Sequence, residues 1–243
     1  MKKTAIILVT KDRFELLQQT INSLLLNTPT ELYDLIVIDD GSKPDCIDYL
    51  NGLKAGEIIK DLVFTELGSP ARCRNVGAEI AKRRGYEYLY HTDNDIYFLE
   101  GWLEECIRVK ENFPEIKIIG AYCHPFLQKN EDFEFNDKIE TVDAVSGNSW
   151  FISTVDFLAY GLEDTQGIMA SEDWAFCQKI RYPIDSIDPN KKVENFVVRL
   201  KPHRVLHTGI SNSKGEPAIG ADIMIEELSE AKIKHGLNDL IYN

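Results

Sequence analysis

The chain has 243 residues, 44% of them hydrophobic and 28% charged, and its 40 acids against 27 bases leave a net charge of −13. That length buries a substantial core without staples, and the composition excludes a disordered or collagenous chain. The acid surplus argues against nucleic-acid binding and against unaided docking on anionic lipid, because both need a basic face. Five scattered cysteines (Cys46, Cys73, Cys106, Cys123, Cys177) show no C-x-x-C spacing, which favours reduced thiols over a disulfide framework or a zinc knuckle. Met1-Lys2-Lys3 imitates the basic start of a signal peptide, but the apolar run Ala5–Val9 is too short and charge resumes at Lys11. No stretch approaches the roughly 20 apolar residues that span a bilayer. The expectation is a cytoplasmic protein whose membrane contact is peripheral at most.

The opening reads as a β-α-β unit. Ala5-Ile6-Ile7-Leu8-Val9 is a continuous apolar run suited to a strand buried on both faces of a parallel sheet. Asp12 followed by Glu15 reads as a capping box, and Phe14, Leu17, Ile21, Leu24 and Leu25 recur at helical spacing. Leu35–Ile38 is the second strand, ending in the turn Asp39-Asp40-Gly41-Ser42, with a third short strand at Leu62–Thr65. A helix over Ala71–Arg84, a strand over Tyr86–Tyr90, a helix over Trp102–Asn112 and a strand over Ile116–Tyr122 continue the alternation. This is an α/β fold with right-handed crossovers and a mostly parallel central sheet flanked by helices. Gln128–Lys138 reads as an acidic surface loop. Strands follow at Val142–Val145 and Trp150–Ser153, with helices near Val155–Tyr160 and Glu172–Arg181. Asp185–Lys192 reads as a mobile loop, Val193–Arg199 and Arg204–His207 as strands, and Ala221–His235 as a terminal amphipathic helix. Without internal repeats or a low-complexity linker, one continuous domain over residues 1–243 is the simpler organisation.

In open α/β sheets, ligands bind at the carboxyl ends of the strands. The residues there are Thr10 to Arg13, Asp39-Asp40, Arg72, Arg74 and His91-Thr92-Asp93-Asn94-Asp95. A dinucleotide fingerprint or a P-loop needs glycines after the first strand, and Thr10-Lys11-Asp12-Arg13 has none. The site is therefore built from carboxylates and arginines. Asp93-x-Asp95 at a strand end offers oxygen ligands to a hard divalent cation that bridges to phosphate. Each piece alone has an ordinary structural explanation: an acidic turn, a helix cap at Glu172-Asp173, a loop histidine at His207, a surface cation at Arg74.

The ordered set of pieces resembles the family 2 glycosyltransferases of the GT-A fold. The carrying residues are Ile6–Thr10, Val37-Ile38-Asp39-Asp40-Gly41-Ser42, Ala71-Arg72-Cys73-Arg74-Asn75-Val76-Gly77 and Thr92-Asp93-Asn94-Asp95. Ser146-Gly147-Asn148, Ser171-Glu172-Asp173-Trp174 and Val205-Leu206-His207 complete it, over roughly residues 4 to 210. The resemblance implies a Rossmann-like fold with a nucleotide-sugar-binding half at 1–100, an acceptor-binding half at 101–215 and a C-terminal helical tail at 216–243.

By the same resemblance, Thr10 contacts base or ribose and Asp40 accepts the N–H of the base. Arg74 places charge near base and phosphates, with Arg13 and Lys11 as weaker candidates, Asp93 reaches ribose, and Asn94 lines the nucleotide-sugar pocket. Asp95 and His207 hold Mn²⁺ or Mg²⁺. Asp173 is the general base, and Glu172 holds acceptor hydroxyls. The implied activity moves one sugar from a nucleoside-diphosphate sugar, UDP before others, to a glycan or glycoconjugate hydroxyl with inversion, as in polysaccharide biosynthesis. Alternatives are a nucleotidyltransferase that makes sugar nucleotides, or an inactive nucleotide- or glycan-binding relative. The metal motif lacks the extra acid common in relatives. Gln178-x-x-Arg181-Tyr182 echoes a processive-synthase signature but lies too close to the acid pair, and it reads as helix surface. Trp150 and Trp174 each read as core or as a sugar-stacking face. Pro125–Ile139 and Ser211–Ala221 are candidates for acceptor walls and lid.

Overall fold

The computed structural model describes residues 4–122, 129–162, 171–182, 195–211, 217 and 221–242. The first strand, β1 (Thr4–Thr10), is buried at all seven positions. Its alternate side chains feed two separate cores. Ile6 and Leu8 pack into one apolar cluster and Ala5, Ile7 and Val9 into another. Around it run β2 (Tyr33–Asp39), β3 (Ile59–Phe64) and β4 (Tyr88–Asp93), all parallel to it.

Beyond β4 the sheet becomes mixed. It continues through β6 (Ile116–Gly120), β7 (Lys129–Asn136), β8 (Ile139–Val142), β9 (Ser149–Ser153) and β10 (Phe196–Leu200), in the order β3-β2-β1-β4-β9-β6-β10-β8-β7. Strand β9 inserts antiparallel between β4 and β6, so Trp150 sits opposite His91. Two short strands, β5 (Ile96–Phe98) and β11 (Val205–His207), form an antiparallel ribbon of their own with His207 opposite Ile96.

Helices cover both faces. Buried residues of α1 (Phe14–Asn27), α2 (Pro44–Ala55) and α4 (Trp102–Asn112) join the first core; those of α3 (Pro70–Arg84), α5 (Thr154–Tyr160) and α6 (Ser171–Arg181) join the second. Helix α3 opens at Ser69, whose hydroxyl accepts from Arg72 N, with Pro70 in the first turn, and it closes at Gly85 in the left-handed region. Gly77 lets it lie close to β1, since a Cβ there would come within 2.4 Å of Ile7 Cγ2. The last helix, α7 (Ala221–His235), packs Leu228 and Ala231 on Leu206 and Leu240. Gln19 of α1 clamps the following tail, donating to the Ile241 carbonyl at 2.8 Å and accepting from its N–H at 2.6 Å.

The α/β class with a mostly parallel central sheet is as expected from the sequence. Several local expectations are not. Helix α2 and strand β5 are additional elements, and Gln128–Lys138 holds strand β7 in place of a loop. The next strand is centred three residues earlier than Val142–Val145. The capping box at Asp12 and Glu15 does not form. Asp12 and Arg13 both have positive φ (56° and 58°), and the Asp12 carboxylate accepts from Lys43 N at 2.8 Å instead. Trp150 is core, whereas Trp174 is 55% exposed. Cys46, Cys73 and Cys106 are buried free thiols, and Cys177 is buried in the second core. Cys123, the loop Asp185–Lys192 and most of the two candidate acceptor segments lie outside the described residues.

His91 on β4 is fully buried, stacked 4.6 Å from Phe157 and 5.4 Å from Trp150, with neither ring nitrogen hydrogen-bonded among the described residues. Burial, helped by the Arg74 charge, pushes its pKa well below the ordinary 6.5. The unfolded chain therefore binds a proton below about pH 6.5 that the folded chain refuses, so stability falls on acidification through that point. In His91→Leu that acid-side loss should shrink. Chemical denaturation between pH 5 and 7.5 checks this, and an unchanged pH slope overturns it.

Candidate active site

The ends of β1, β2 and β4 gather the predicted residues. Thr10 is level with Asp39, and Val9 with Asp93, in the parallel register. Asp39 builds its own turn, accepting from Gly41 N at 3.2 Å and Ser42 N at 3.0 Å through Oδ1. Asp40 is buried, and its Oδ1 accepts from Leu67 N at 2.6 Å, Gly68 N at 3.2 Å and Thr65 Oγ1 at 3.0 Å. That oxygen holds the loop before α3 in place. Asn94 spends its amide on architecture, donating to Thr10 Oγ1 at 2.9 Å and to the Asp12 carbonyl at 3.0 Å.

Two ion-pair clusters divide the acids. In the first, Arg13 Nη1 lies 2.5 Å from Asp95 Oδ2, and Arg13 Nη2 donates to the Ser211 carbonyl at 2.8 Å. Arg13 adopts the left-handed backbone that costs an L-residue about 1 kcal/mol or more. His207 Nε2 faces Asp95 Oδ1 at 3.3 Å, and that oxygen is buried without a hydrogen bond among the described residues. Burial opposes the charge on Asp95, but His207 and Arg13 more than offset it and hold the carboxyl below its usual range. For His207, burial opposes the proton and Asp95 more than restores it, so its pKa is raised. Thr208 donates to the Asp95 carbonyl from N at 2.7 Å and Oγ1 at 2.9 Å. Gly209 makes room, since a Cβ there would lie 2.1 Å from Asp95 Oδ2.

In the second cluster, buried Arg74 links three elements. Its Nη2 reaches Asp93 Oδ1 at 2.7 Å, and its Nη1 lies 3.9 Å from Glu172 Oε1. Burial opposes this guanidinium's charge, but Asp93, Asp173 and Glu172 prevail and raise its pKa. Asp173, on the first turn of α6, accepts from Gly147 N through Oδ2 at 2.7 Å. Its Oδ1 is buried and has no hydrogen-bond partner among the described residues. Burial pushes this carboxyl up to about 6, with Arg74 and the Gly147 N–H pulling it down and Glu172 and Asp93 pushing it up. A Cβ on Gly147 would sit 2.1 Å from Asp173 Oδ1, so the present carboxylate position depends on the absence of a side chain there.

All ten predicted site residues thus fall on one rim. The chain from Thr208 to Gly209 that props Asp95 was not foreseen; its signal in the sequence was the small pair directly after His207. Nor was the role of Gly147 as a hydrogen-bond donor to Asp173. Gln178 and Arg181 are not plain helix surface either. Gln178 Nε2 donates to the Asp143 carbonyl at 2.9 Å, and Arg181, only 7% exposed, pairs with Asp143 Oδ1 at 2.5 Å.

The parallel-stranded core thus presents carboxylates, arginines and a histidine together at its strand ends. The model of the glycosyl transferase family 2 matches residues 5–143, and the chain belongs to that family. No curated protein sequence matches it. Among solved structures, GalNAc-T7 with UDP, GalNAc and Mn²⁺ is similar at TM-score 0.67 and 15% identity, over 85% of this chain and 44% of that one. TarS of S. aureus (residues 1–349) in complex with UDP-GlcNAc aligns at TM-score 0.59 and 16% identity, over 82% of this chain and 56% of that one. The mannosyltransferase PcManGT from Pyrobaculum calidifontis, with GDP-Man and Mn²⁺, aligns at TM-score 0.58 and 13% identity, over 74% of this chain and 52% of that one. The chain therefore spans about half the length of these structural relatives, which share its GT-A fold. Among the described residues, no helix is long and apolar enough to cross a membrane.

The Gly147 contact is a local test of the arrangement. Gly147→Ala presses on the end of a flexible side chain, so it should shift the Asp173 carboxylate without unfolding the protein. The expected result is a melting temperature lowered by a few degrees at most and an altered Asp173 carboxyl titration by ¹³C NMR. An unaltered titration would place Asp173 outside the reach of that loop.

Proposed function

We propose that the chain is an inverting glycosyltransferase that moves one sugar from a nucleoside-diphosphate sugar, UDP before GDP, to a hydroxyl of a glycan or glycoconjugate. The observation that carries this reading is Asp173. One carboxylate oxygen is fixed by the Gly147 N–H, the other is buried without a partner, and the pKa is raised to about 6. That is a base placed to be ionised at neutral pH yet stronger than an ordinary aspartate. The acceptor hydroxyl gives its proton to Asp173 Oδ1 as its oxygen bonds to the anomeric carbon. The anomeric carbon–phosphate oxygen bond breaks, and the nucleoside diphosphate departs with the electron pair. Glu172, tied to Arg74, is the candidate to hold a neighbouring acceptor hydroxyl.

On the donor side, Thr10 and Asp40 form the base end, Asp93 lies at the ribose, and Arg74 stands beside the phosphates, with Asn94 bracing Thr10. Asp40 has Oδ1 committed to the loop over residues 65–68, so recognition of a base N–H falls to Oδ2. Uracil and guanine both carry such a donor, in line with the UDP and GDP-sugar complexes of the structural relatives.

A divalent ion, Mn²⁺ or Mg²⁺, fits the chain at Asp95 and His207. Asp95 Oδ1, which accepts no hydrogen bond among the described residues, lies 3.3 Å from His207 Nε2, so the two would be neighbouring donors to one ion. Groups of three or more such side chains are absent among the described residues, so Asp95 and His207 would hold the ion together with ligands from outside the chain. When bound, the ion takes up charge that develops on the leaving diphosphate. Arg13 keeps Asp95 Oδ2 neutralised throughout.

Asp173→Asn should retain nucleoside-diphosphate affinity and lose transfer by about 10²-fold or more, scored as nucleoside diphosphate release from a panel of sugar nucleotides with Mn²⁺. The wild-type rate should rise through about pH 6 as Asp173 ionises and level off above pH 7. Near-normal turnover in the variant moves the base elsewhere. Separately, Asp95→Ala should abolish the Mn²⁺-dependent part of UDP binding measured by calorimetry, and His207→Ala should weaken it. Unchanged affinity in both variants removes the ion from this pair.

A further inference from the structure

Helix α6 grips one loop at two points. At its start, Asp173 Oδ2 accepts the Gly147 N–H at 2.7 Å. Eight residues on, at its end, Arg181 Nη1 lies 2.5 Å from Asp143 Oδ1 and 3.4 Å from the Asp143 carbonyl oxygen, which also accepts from Gln178 Nε2 at 2.9 Å. The rise from position 173 to 181 is about 12 Å. The chain from Asp143 to Gly147 reaches at most about 14 Å when fully extended. The loop between the two grips has little slack. Arginine is rarely so deeply buried unless paired, and Arg181 is 7% exposed. Ala144 and Val145 between the grips are buried in the second core, which seats the loop against the sheet, while the polar contacts fix where it stops along the helix.

We propose that Gln178 and Arg181 are positioning residues that hold the Gly147 N–H on the Asp173 carboxylate by anchoring Asp143. The proposal rests on Asp173 as the general base and adds two residues that touch neither donor nor acceptor. The charged groups that face Asp173 are Arg74 from α3, Asp93 from β4 and its neighbour Glu172. Arg181 lies about 12 Å along the helix from it and is paired with Asp143, so the pair's net field on Asp173 is weak. Its influence runs through the loop. Releasing the loop removes a hydrogen bond that favours the ionised carboxylate, and the Asp173 titration moves up.

The experiment follows the Asp173 side-chain carboxyl by ¹³C NMR, assigned by its loss in Asp173→Asn, in wild type, Arg181→Met, Arg181→Lys and Gln178→Leu. The expected midpoint rises by roughly one pH unit in Arg181→Met and by less in Gln178→Leu. Arg181→Lys recovers most of the shift, because the Asp143 contacts pass through a single nitrogen that an ammonium can replace. In turnover assays the acid limb of kcat moves by the same amount while KM for the donor stays within about twofold. An unmoved midpoint in a folded Arg181→Met overturns the proposal, as does a shift that lysine fails to reverse. Should Arg181→Met not fold, the Gln178→Leu midpoint decides in its place. Absence of transfer from every sugar nucleotide by the wild type defeats the transferase reading alone, since the titration still decides whether the clasp exists.

Discussion

The site depends on keeping several carboxylates charged where there is little water. Asp39, Asp40 and Asp95 are all buried at strand ends, and Asp93 and Asp173 lie beside them. An isolated buried carboxylate would take up a proton rather than carry the desolvation cost. The chain meets this demand in two ways. Backbone N–H groups donate to Asp39 and Asp40, which become parts of the scaffold, whereas Arg13, Arg74 and His207 serve the acids nearest the proposed reaction. Asp173 keeps one oxygen buried without a hydrogen bond among the described residues, and burial pushes its pKa towards neutrality.

This division accounts for otherwise odd local structure. Two consecutive left-handed residues at Asp12 and Arg13 bend the end of β1 so that Arg13 can reach Asp95. Two glycines stand where carboxylates approach backbone too closely for any side chain, Gly147 against Asp173 and Gly209 against Asp95. At each, an added methyl would push a carboxylate out of place.

Much of the architecture was legible because its signals are local. Ala5–Val9 and Leu35–Ile38 are uninterrupted apolar runs, and the helices at Ala71–Arg84 and Trp102–Asn112 carry clear periodicity. Where the signal was weak, the reading failed for physical reasons. Helix α2 buries only Cys46 and Leu50, so its apolar stripe is thin. Strand β5 has three residues, too few to show a period. Strand β7 lies at the sheet edge, where an acidic, loop-like composition is compatible with pairing on one side. Asp12 followed by Glu15 satisfied the capping pattern, yet a longer-range partner, Lys43 N, claimed the carboxylate. The rim of the site was readable through the ordered motifs of the family, but the partners were not. That Arg13 pairs with Asp95, or Arg181 with Asp143, depends on contacts 82 and 38 residues apart, which no local pattern encodes.

The small ribbon of β5 and β11 has a consequence for how the site comes into being. It joins Ile96 to His207, so the histidine beside Asp95 arrives from 207 − 95 = 112 residues further along the chain. The parallel core of β1, β2 and β4 can gather Thr10, Asp40 and Asp93 from the first hundred residues, but the Asp95–His207 pair closes only when the last quarter of the chain has docked. Such long-range closures form late in folding. During synthesis the part of the rim that holds Thr10, Asp40 and Asp93 would therefore precede the Asp95–His207 pair, and a nascent chain cut short before Val205 would lack that pair.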